Sequence, residues 1–162
     1  MNVALLGTGL LGQAVAERLH ATGHHLSAYN RTPEKTLSRR QLGLHIASTA
    51  VEAIAAAEVV ILLLADAAAI RAVLLDPSTS QALGGRTIIQ MGTIGPSESC
   101  SIGEEIERLG GQYLEAPVLG SIAEAKSGAL LIMVGATPER YAAWAPLLQA
   151  LSSDVRLIGP VG

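Results

Sequence analysis

"GTGLLG", residues 7 to 12, is the stretch that decides the fold. Its glycines have the G-x-G-x-x-G spacing, and it joins an apolar run that begins at residue 2 to a helical pattern that begins at residue 10. In a dinucleotide-binding turn the first glycine makes the tight turn, the second admits a pyrophosphate, and the third lets the helix pack closely on the sheet. The alternative is a glycine-rich turn that binds nothing, but the strand-turn-helix context favours a dinucleotide site. The residues expected to contact the cofactor here are Gly7, Thr8, Gly9, Leu10, Leu11 and Gly12.

Short apolar runs alternate with longer helical patterns along the chain. The runs are "NVALL", "LSAYN", "VVILLL" and "RTIIQM", and the helical patterns that follow them cover residues 10–21, 33–42, 67–75 and 96–109. Further runs at "QYLEAPV", "ALLIMVG" and "DVRLIG" extend the sheet to about seven or eight strands. This alternation is typical of βαβ units. It predicts an α/β fold, a doubly wound and mostly parallel sheet of Rossmann type, formed by one domain over residues 1–162.

Several helix boundaries are also marked in the sequence. Residues 32–34 and 137–139 both read Thr-Pro-Glu, which places a capping hydroxyl, a first-turn proline and an acid at a helix start. Thr49 and Glu52 have the spacing of a capping box. Gly23 is expected to end the first helix.

The composition argues against nucleic acid as a partner. The 162 residues carry a formal net charge of -3 with a pI near 5.8, so there is no cationic field for a phosphate backbone. Aromatic residues make up 2% of the chain, which leaves few platforms on which bases could stack. A small-molecule partner is therefore favoured.

The sequence also argues against a membrane or an oxidising compartment. The apolar stretch from Val59 to Ala65 is far shorter than the roughly 20 residues that a membrane span needs. Cys100 is the single cysteine, so no internal disulfide can form. The N-terminus enters a strand at once, without the pattern of a leader peptide. We expect a cytoplasmic protein.

The end of the second apolar run, "YNRTPEK", indicates which dinucleotide is bound. An Asp or Glu about 20 residues past the glycine turn would bind the adenosine ribose of NAD, but residues 18–33 contain no acid. Arg31 instead offers a fork of donors suited to a phosphate, and Asn30 and Thr32 add neutral donors. Lys35 is a further phosphate contact or a solvated residue. A 2′-phosphate fits such a strand end, so NADP is preferred over NAD; an exposed turn with an incidental arginine is the alternative.

The chain resembles the β-hydroxyacid dehydrogenases, which include 3-hydroxyisobutyrate dehydrogenase and the glyoxylate and succinic semialdehyde reductases. The resemblance covers all 162 residues, through "ALLGTGLLGQAVAERLHATGH", "YNRTPEK", "LLLADAAAIRAVL", "MGTIGPSES", "YLEAPVLGS" and "AKSGALLIMVGA". It implies that Leu64, Ala65 and Asp66 pass near the cofactor and that Thr93 lies near its nicotinamide end. It also implies that the segment Leu119, Gly120 and Ser121 binds the carboxylate of a small substrate.

Two departures from the family pattern stand out. Members commonly read "APVSGG" where this chain has Leu119, so a serine hydroxyl that would face the substrate is replaced by an apolar side chain. The family also continues beyond the position of Gly162 into a helix with its catalytic lysine and a helical C-terminal domain. We expect both to be absent from residues 1–162, and the apolar surface left there to drive self-association into a homo-oligomer.

Residues 1–162 offer few replacements for the missing lysine. Reduction of a carbonyl needs a group that donates a proton to, or stabilises, the developing alkoxide. Lys126, expected in a loop after "APVLGS", is a candidate, and a solvated loop lysine is the alternative. The four histidines fall around the first helix and the early turns, away from the expected nicotinamide end, and Cys100 has no basic neighbour in sequence. No metal-ligand spacing occurs.

Three functions remain open at the level of sequence. The favoured one is the NADP-binding part of an oxidoreductase that interconverts a small hydroxy acid and its semialdehyde or oxo acid, inactive as residues 1–162 alone. An imine reductase has the same architecture and is slightly favoured by Leu119. A non-catalytic NADP-binding module is the third.

Overall fold

A computed structural model of the chain describes residues 1–32 and 43–162. The helical pattern predicted for residues 33–42, the Thr-Pro-Glu helix start at residues 32–34 and Lys35 therefore lie wholly or partly outside the described residues. The strands are β1 (Asn2–Leu6), β2 (His25–Tyr29), β3 (His45–Ile46), β4 (Val59–Leu62), β5 (Thr87–Gln90), β6 (Gln112–Glu115), β7 (Val118–Leu119), β8 (Leu131–Gly135) and β9 (Asp154–Gly159). The helices are α1 (Leu10–Ala21), α2 (Ala50–Ala55), α3 (Ala67–Leu74), α4 (Pro77–Ser80), α5 (Pro96–Arg108), α6 (Ile122–Ser127) and α7 (Pro138–Gln149), with a 3₁₀ turn at Gln81–Leu83.

These strands form one mixed sheet in which the first six are parallel. Their order is β3-β2-β1-β4-β5-β6, and β8 follows β6 in antiparallel orientation. β7 also pairs antiparallel with β8, whereas β9 pairs parallel with it. The order reverses between β1 and β4, because β2 lies on one side of β1 and β4 on the other. The prediction of a doubly wound, mostly parallel sheet is confirmed.

Helices cover both faces of the sheet, and each face has its own apolar core. Along β1, Val3 and Leu5 belong to one core, together with residues of α1, α6 and α7. Ala4 and Leu6 belong to the other core, together with residues of α2, α3 and α5. All four of these β1 residues are fully buried. β1 is therefore apolar from Val3 to Leu6 because both of its faces are covered there, as in other parallel sheets.

The structure corrects the predicted number of strands. The run "QYLEAPV" divides into β6 and β7, since the chain leaves β6 after Glu115 and pairs again with β8 at Val118 and Leu119. The short strand β3 was not predicted at all. The sheet of the described residues therefore has nine strands, not seven or eight.

The predicted helix boundaries hold where the structure describes them. Gly23 follows α1 with a φ of 88°, and the Thr137 side chain accepts a hydrogen bond from the backbone N–H of Arg140 at the start of α7. Thr49 caps α2 by accepting from the backbone N–H of Glu52, at 3.1 Å. The return bond of the expected capping box differs, because the Glu52 carboxylate accepts from the backbone N–H of residue 48 at 2.7 Å. Among the helices in the described ranges, none is both long and apolar enough to cross a membrane.

Candidate functional site: a cleft at the carboxyl edge of the sheet

The carboxyl ends of three parallel strands meet at one point of the sheet edge. Leu6 of β1 is in register with Tyr29 of β2 on one side and with Leu62 of β4 on the other. The residues that follow them begin the loops to the helices. Because the strand order reverses between β1 and β4, this edge is the topological switch point, where open α/β sheets bind their ligands.

The glycine turn is shaped by close backbone contacts. Gly7 has a φ of 98°, in the left-handed region that favours glycine, and its N–H donates to the Tyr29 carbonyl at 3.1 Å. A Cβ on Gly7 would lie 2.2 Å from the Leu63 carbonyl oxygen, and a Cβ on Gly12 would lie 2.1 Å from the Gly7 carbonyl oxygen. Gly12 thus lets α1 begin directly against the turn.

Gly9 differs from its two neighbours because it faces open space. A Cβ on Gly9 would meet no atom within 4 Å, and the residue is exposed. It is also the N-cap of α1, whose positive end is suited to an anion. Beside it, the side chain of Thr8 is fully buried, and its hydroxyl oxygen has no hydrogen-bond partner among the described residues. The open cradle and the unpaired hydroxyl both fit a pyrophosphate.

A cleft of about 220 Å³ extends from this turn across the ends of β2 and β4. The lining residues are Gly7, Gly9, Tyr29, Asn30, Arg31, Thr32, Leu63, Leu64, Ala65, Ala69 and Val73. No Asp or Glu is among these described residues. An anionic ligand in this cleft would therefore meet the guanidinium of Arg31 and no carboxylate among the described lining residues.

Asn30 connects the end of β2 to the glycine turn. Its Oδ1 accepts from the backbone N–H of Thr8 at 3.4 Å, and its Nδ2 donates to the Thr32 carbonyl at 3.0 Å. One of its two amide hydrogens is thus used within the protein, which leaves the other for a ligand. Arg31 is exposed and lines the cleft beside it.

A second cleft, of about 400 Å³, adjoins the first. The two clefts share Tyr29, Arg31 and Val73. The second also contains a carboxylate, Asp76, whose pKa is lowered by hydrogen bonds from the Ser78 hydroxyl and backbone N–H. A ligand long enough to fill both clefts would pass Arg31. The more anionic part of that ligand would be favoured in the first cleft, whose described lining has no acid.

Not all of the residues expected to bind the cofactor line a cleft. Leu64 and Ala65 do, but the Asp66 carboxylate caps α3 by accepting from the backbone N–H of Ala69 at 2.7 Å. Thr93 is exposed in the loop after β5, outside the lining of both clefts. In the glycine turn, Leu10 is 74% exposed, whereas Leu11 packs against the core.

Sequence reasoning missed four residues of the first cleft. These are Tyr29, Leu63, Ala69 and Val73. Ala69 and Val73 lie four residues apart on α3 and so share one helix face. The sequence pattern shows that Ala69 and Val73 share a helix face. Whether that face points to the cleft depends on how α3 packs against the strand ends, which only the structure shows.

The segment expected to face the substrate follows β6. Leu119 ends β7 and is 58% exposed, and Gly120 and Ser121 lead into α6. Lys126, expected in a loop, lies on α6 instead, because Ser121 and Glu124 form a capping box that starts a helix there. Its Nζ is 2.9 Å from a carboxylate oxygen of Glu17 on α1, away from the lining of the cleft.

A buried polar group joins α5 to β6 under the same sheet edge. The Ser99 hydroxyl contacts the Tyr113 hydroxyl at 3.0 Å and donates to the Glu115 carboxylate. Burial raises the pKa of Tyr113 to about 12, so its phenol stays protonated at neutral pH. The other Glu115 oxygen accepts from the backbone N–H of Gly162 at 2.7 Å. These contacts join α5, β6 and Gly162.

The histidines and the cysteine lie outside the lining of both clefts. His24 precedes β2 and His25 begins it; burial lowers the pKa of His24. His45 contacts the Ser27 hydroxyl at 3.1 Å through its Nδ1. The Cys100 thiol points to the Val161 carbonyl, at 3.5 Å. Across residues 1–32 and 43–162 no three His, Cys, Asp or Glu side chains form a group that could hold a metal ion.

The chain has the features of a dinucleotide-binding domain. These are the glycine turn of residues 7–12, the N-terminus of α1 and the cleft at the switch point of the sheet. Comparison with known proteins gives the family: residues 2–159 match the model described as the NAD binding domain of 6-phosphogluconate dehydrogenase. The chain belongs to this family and is a nicotinamide-dinucleotide-binding domain.

Two relatives agree with the resemblance seen in the sequence. The chain is 30% identical to 2-hydroxy-3-oxopropionate reductase of Escherichia coli (strain K12), with 100% of this chain and 56% of the reductase covered. It is also 30% identical to the mitochondrial 3-hydroxyisobutyrate dehydrogenase of Mus musculus, with 99% of this chain and 48% of that protein covered. The chain thus spans about half the length of these relatives.

Solved structures share the fold over the whole chain. Psf3 in complex with NADP⁺ and 2-OPP matches with a TM-score of 0.91 and 27% identity, over 98% of this chain and 57% of that one. An imine reductase from Myxococcus stipitatus in complex with NADP⁺ matches with a TM-score of 0.96 over 100% of this chain and 56% of that one. The latter is 18% identical, so its likeness concerns the fold alone.

Two substitutions in the glycine turn separate its role in cofactor binding from its role in the fold. Gly9→Val should abolish binding of NADPH and NADH but preserve the fold, because the space that the side chain enters is empty in the protein and needed by the pyrophosphate. Gly12→Ala should instead destabilise the fold by about 1–3 kcal/mol, since its Cβ would overlap the Gly7 carbonyl. Calorimetry and urea unfolding measure the two effects. Unchanged cofactor affinity in the valine variant would show that the turn is purely structural.

Proposed function

We propose that the chain is the cofactor-binding part of an NADP-dependent oxidoreductase that interconverts a small hydroxy acid and its semialdehyde or oxo acid. The observation that carries the cofactor choice is Arg31 at the end of β2, beside a cleft without acids. The substrate class is supported by the two relatives at 30% identity, whose names describe a hydroxy-oxo acid reductase and a hydroxy acid dehydrogenase. The chain spans about half the length of each relative, and the activity named is that of the relatives at their full length.

NADP is favoured over NAD by the charge of the site. A carboxylate at the end of β2 would accept hydrogen bonds from the ribose of NAD and repel a 2′-phosphate. Here that position carries Asn30, whose side chain is partly used by the backbone of the glycine turn. Arg31 is the charged group next to it, and a guanidinium binds phosphate through two parallel hydrogen bonds. The 27% identical Psf3 structure, which contains NADP⁺, supports the same choice.

The bound dinucleotide would supply hydride chemistry, and the chain would orient it. We place the pyrophosphate over Gly9 and the 2′-phosphate at Arg31, with the nicotinamide end directed past Leu64 and Ala65 toward the ends of β5 and β6. The proton donor is a separate requirement. Lys126, the candidate within residues 1–162, is paired with Glu17, so we place the donor on a helical domain outside these residues.

An imine reductase is the second candidate. It is favoured by Leu119, which puts an exposed apolar side chain where the β-hydroxyacid dehydrogenase pattern has a serine. Both candidates use the same nucleotide cleft, so only the substrate separates them. A binding module without catalysis is the remaining alternative.

Cofactor choice is tested at Arg31. Arg31→Ala should weaken NADPH binding by about 1.5–3 kcal/mol, the range for hydrogen bonds to charged groups, with much less effect on NADH. Arg156→Ala is the matched control, because this exposed arginine lies on β9 and pairs with Asp154. Titration calorimetry with both cofactors gives the comparison. Equal losses of NADPH and NADH affinity at Arg31 would contradict the assignment.

Catalysis is tested by comparing residues 1–162 with a chain extended through a helical C-terminal domain of the family. The shorter chain should bind NADPH yet show no measurable oxidation with glyoxylate or succinic semialdehyde. Loss of general acid catalysis alone typically costs about 10²–10⁴-fold in rate, and lost positioning adds to it. Equal turnover by both chains would place the donor within residues 1–162, and Lys126→Ala would then be the first variant to measure. Absence of turnover in both, with tight NADPH binding, would favour the module.

A further inference from the structure

The hydrogen-bonded pairing of β1 with β2 ends where the glycine turn begins. The last registered pair is Leu6 and Tyr29, and the Gly7 N–H still donates to the Tyr29 carbonyl, at 3.1 Å. Beyond this point the chain of β1 turns into α1 and leaves the strand pairing. The next backbone donor along the turn is the N–H of Thr8, a residue that is fully buried.

The side chain of Asn30 supplies the acceptor that this donor needs. Its Oδ1 accepts from the Thr8 N–H at 3.4 Å, and its Nδ2 donates to the Thr32 carbonyl at 3.0 Å. A buried backbone N–H without an acceptor is costly, so the contact at Thr8 favours this arrangement of the turn. One amide group thus bridges the glycine turn and the chain after β2.

The two contacts of Asn30 together require an amide. An ionised carboxylate of the same length would accept from the Thr8 N–H but could not donate to the Thr32 carbonyl, and an aliphatic side chain would do neither. Asn30 therefore has a role within the protein besides any contact with a ligand. The lack of an acid at this strand end has a second cause, in addition to the repulsion between a carboxylate and a 2′-phosphate.

Thr8 connects this bridge to the place of the pyrophosphate. Its hydroxyl is buried and has no hydrogen-bond partner among the described residues. A buried hydroxyl of this kind indicates that a partner outside the chain satisfies it. The next residue, Gly9, is the N-cap of α1 and faces open space. The peptide N–H that Asn30 holds thus belongs to the residue whose hydroxyl is free for the ligand.

The other end of the bridge lies beside Arg31. Asn30 and Thr32 flank Arg31 in sequence, and all three line the first cleft. The bond from the Asn30 amide to the Thr32 carbonyl restrains the backbone on both sides of Arg31. The same amide therefore restrains both parts of the site to which phosphate groups are assigned.

We propose that Asn30 is a positioning residue that couples the pyrophosphate part of the site to the 2′-phosphate part, by holding the Thr8 N–H and the Thr32 carbonyl with one amide. The coupling rests on the proposed function, which assigns the 2′-phosphate to Arg31. The hold on the glycine turn serves any dinucleotide. Asn30 acts on the pyrophosphate through Thr8 and not by a contact of its own.

Asn30→Ala removes both bonds and is tested with two cofactors that differ only in the 2′-phosphate. It should weaken NADH binding by about three- to tenfold, the factor that one net hydrogen bond represents, and NADPH binding by at least as much. A direct contact between Asn30 and the 2′-phosphate would instead weaken NADPH alone. Asn2→Ala is the matched control, because Asn2 is exposed at the start of β1, at the opposite edge of the sheet. Titration calorimetry measures all four affinities.

Asn30→Asp separates the two ends of the bridge and keeps the test decisive if the alanine variant is poorly folded. The carboxylate still accepts from the Thr8 N–H but cannot donate to the Thr32 carbonyl. NADH affinity should return to within about twofold of the unsubstituted chain, because the bond to the glycine turn is kept. NADPH should stay at least about tenfold weaker, since the acid repels the 2′-phosphate and the bond to Thr32 is lost.

A double-mutant cycle with Thr8→Val separates positioning from a new contact between the aspartate and the ribose. Valine keeps the shape of the threonine side chain and removes the hydroxyl that has no partner among the described residues. In the Thr8→Val background, Asn30→Ala should cost less than about twofold in NADH affinity, because the hydroxyl that Asn30 positions is gone.

The inference and the proposed function fail in different ways. A chain that binds neither cofactor, or binds NADH as tightly as NADPH, contradicts the proposed function. The positioning role of Asn30 is overturned if Asn30→Ala weakens NADPH alone, if Asn30→Asp loses as much NADH affinity as Asn30→Ala, or if the cycle with Thr8→Val is additive. An equal loss of affinity in Asn2→Ala would also overturn it, because the effect would then not be local to the turn.

Discussion

A Cβ on Gly7 would lie 2.2 Å from the Leu63 carbonyl oxygen, so only glycine fits here, and the rest of the site depends on this constraint. The parallel pairing of β1 with β4 brings their ends together, and Gly7 leaves no side chain between them. Gly12 continues the arrangement, since α1 begins against the Gly7 carbonyl oxygen. Gly7 and Gly12 both lie in close backbone contact. Gly9, the middle glycine of the motif, instead leaves open space at the N-terminus of α1. The nucleotide cleft is the consequence of this difference among three glycines.

The fold was largely predictable because its signals are local. The glycine spacing, the apolar run from Val3 to Leu6 and the Thr137 cap each depend on residues close in sequence, and each was expected. β3 and β7 are two residues long and exist only through pairing with β2 and β8, so no periodic pattern marks them. Lys126 was expected in a loop for a related reason, since the Ser121 cap that places it on a helix had not been recognised.

The site was less predictable than the fold, because a cleft is formed by faces that are distant in sequence. Residues 64 and 65 follow a strand and were expected beside the cleft, whereas Ala69 and Val73 join it only through the packing of α3. Charge was partly predictable. The absence of an acid after β2 is visible in the sequence, whereas the pairing of Lys126 with Glu17 on α1, which is distant in sequence, is visible only in the structure.

The central claim is that a nicotinamide dinucleotide lies over the glycine turn at the switch point of the sheet. A ¹H–¹⁵N NMR titration of the chain with NADPH tests it most directly, because glycine amides report both on the turn and on the far edge of the sheet. We expect saturable shifts of the amide signals of Gly7, Gly9 and Ala65, and none for Gly85 and Gly110, which precede β5 and β6 at the opposite edge of the sheet. Saturable binding that shifts Gly85 and Gly110 but leaves Gly7 and Gly9 unchanged would contradict the account.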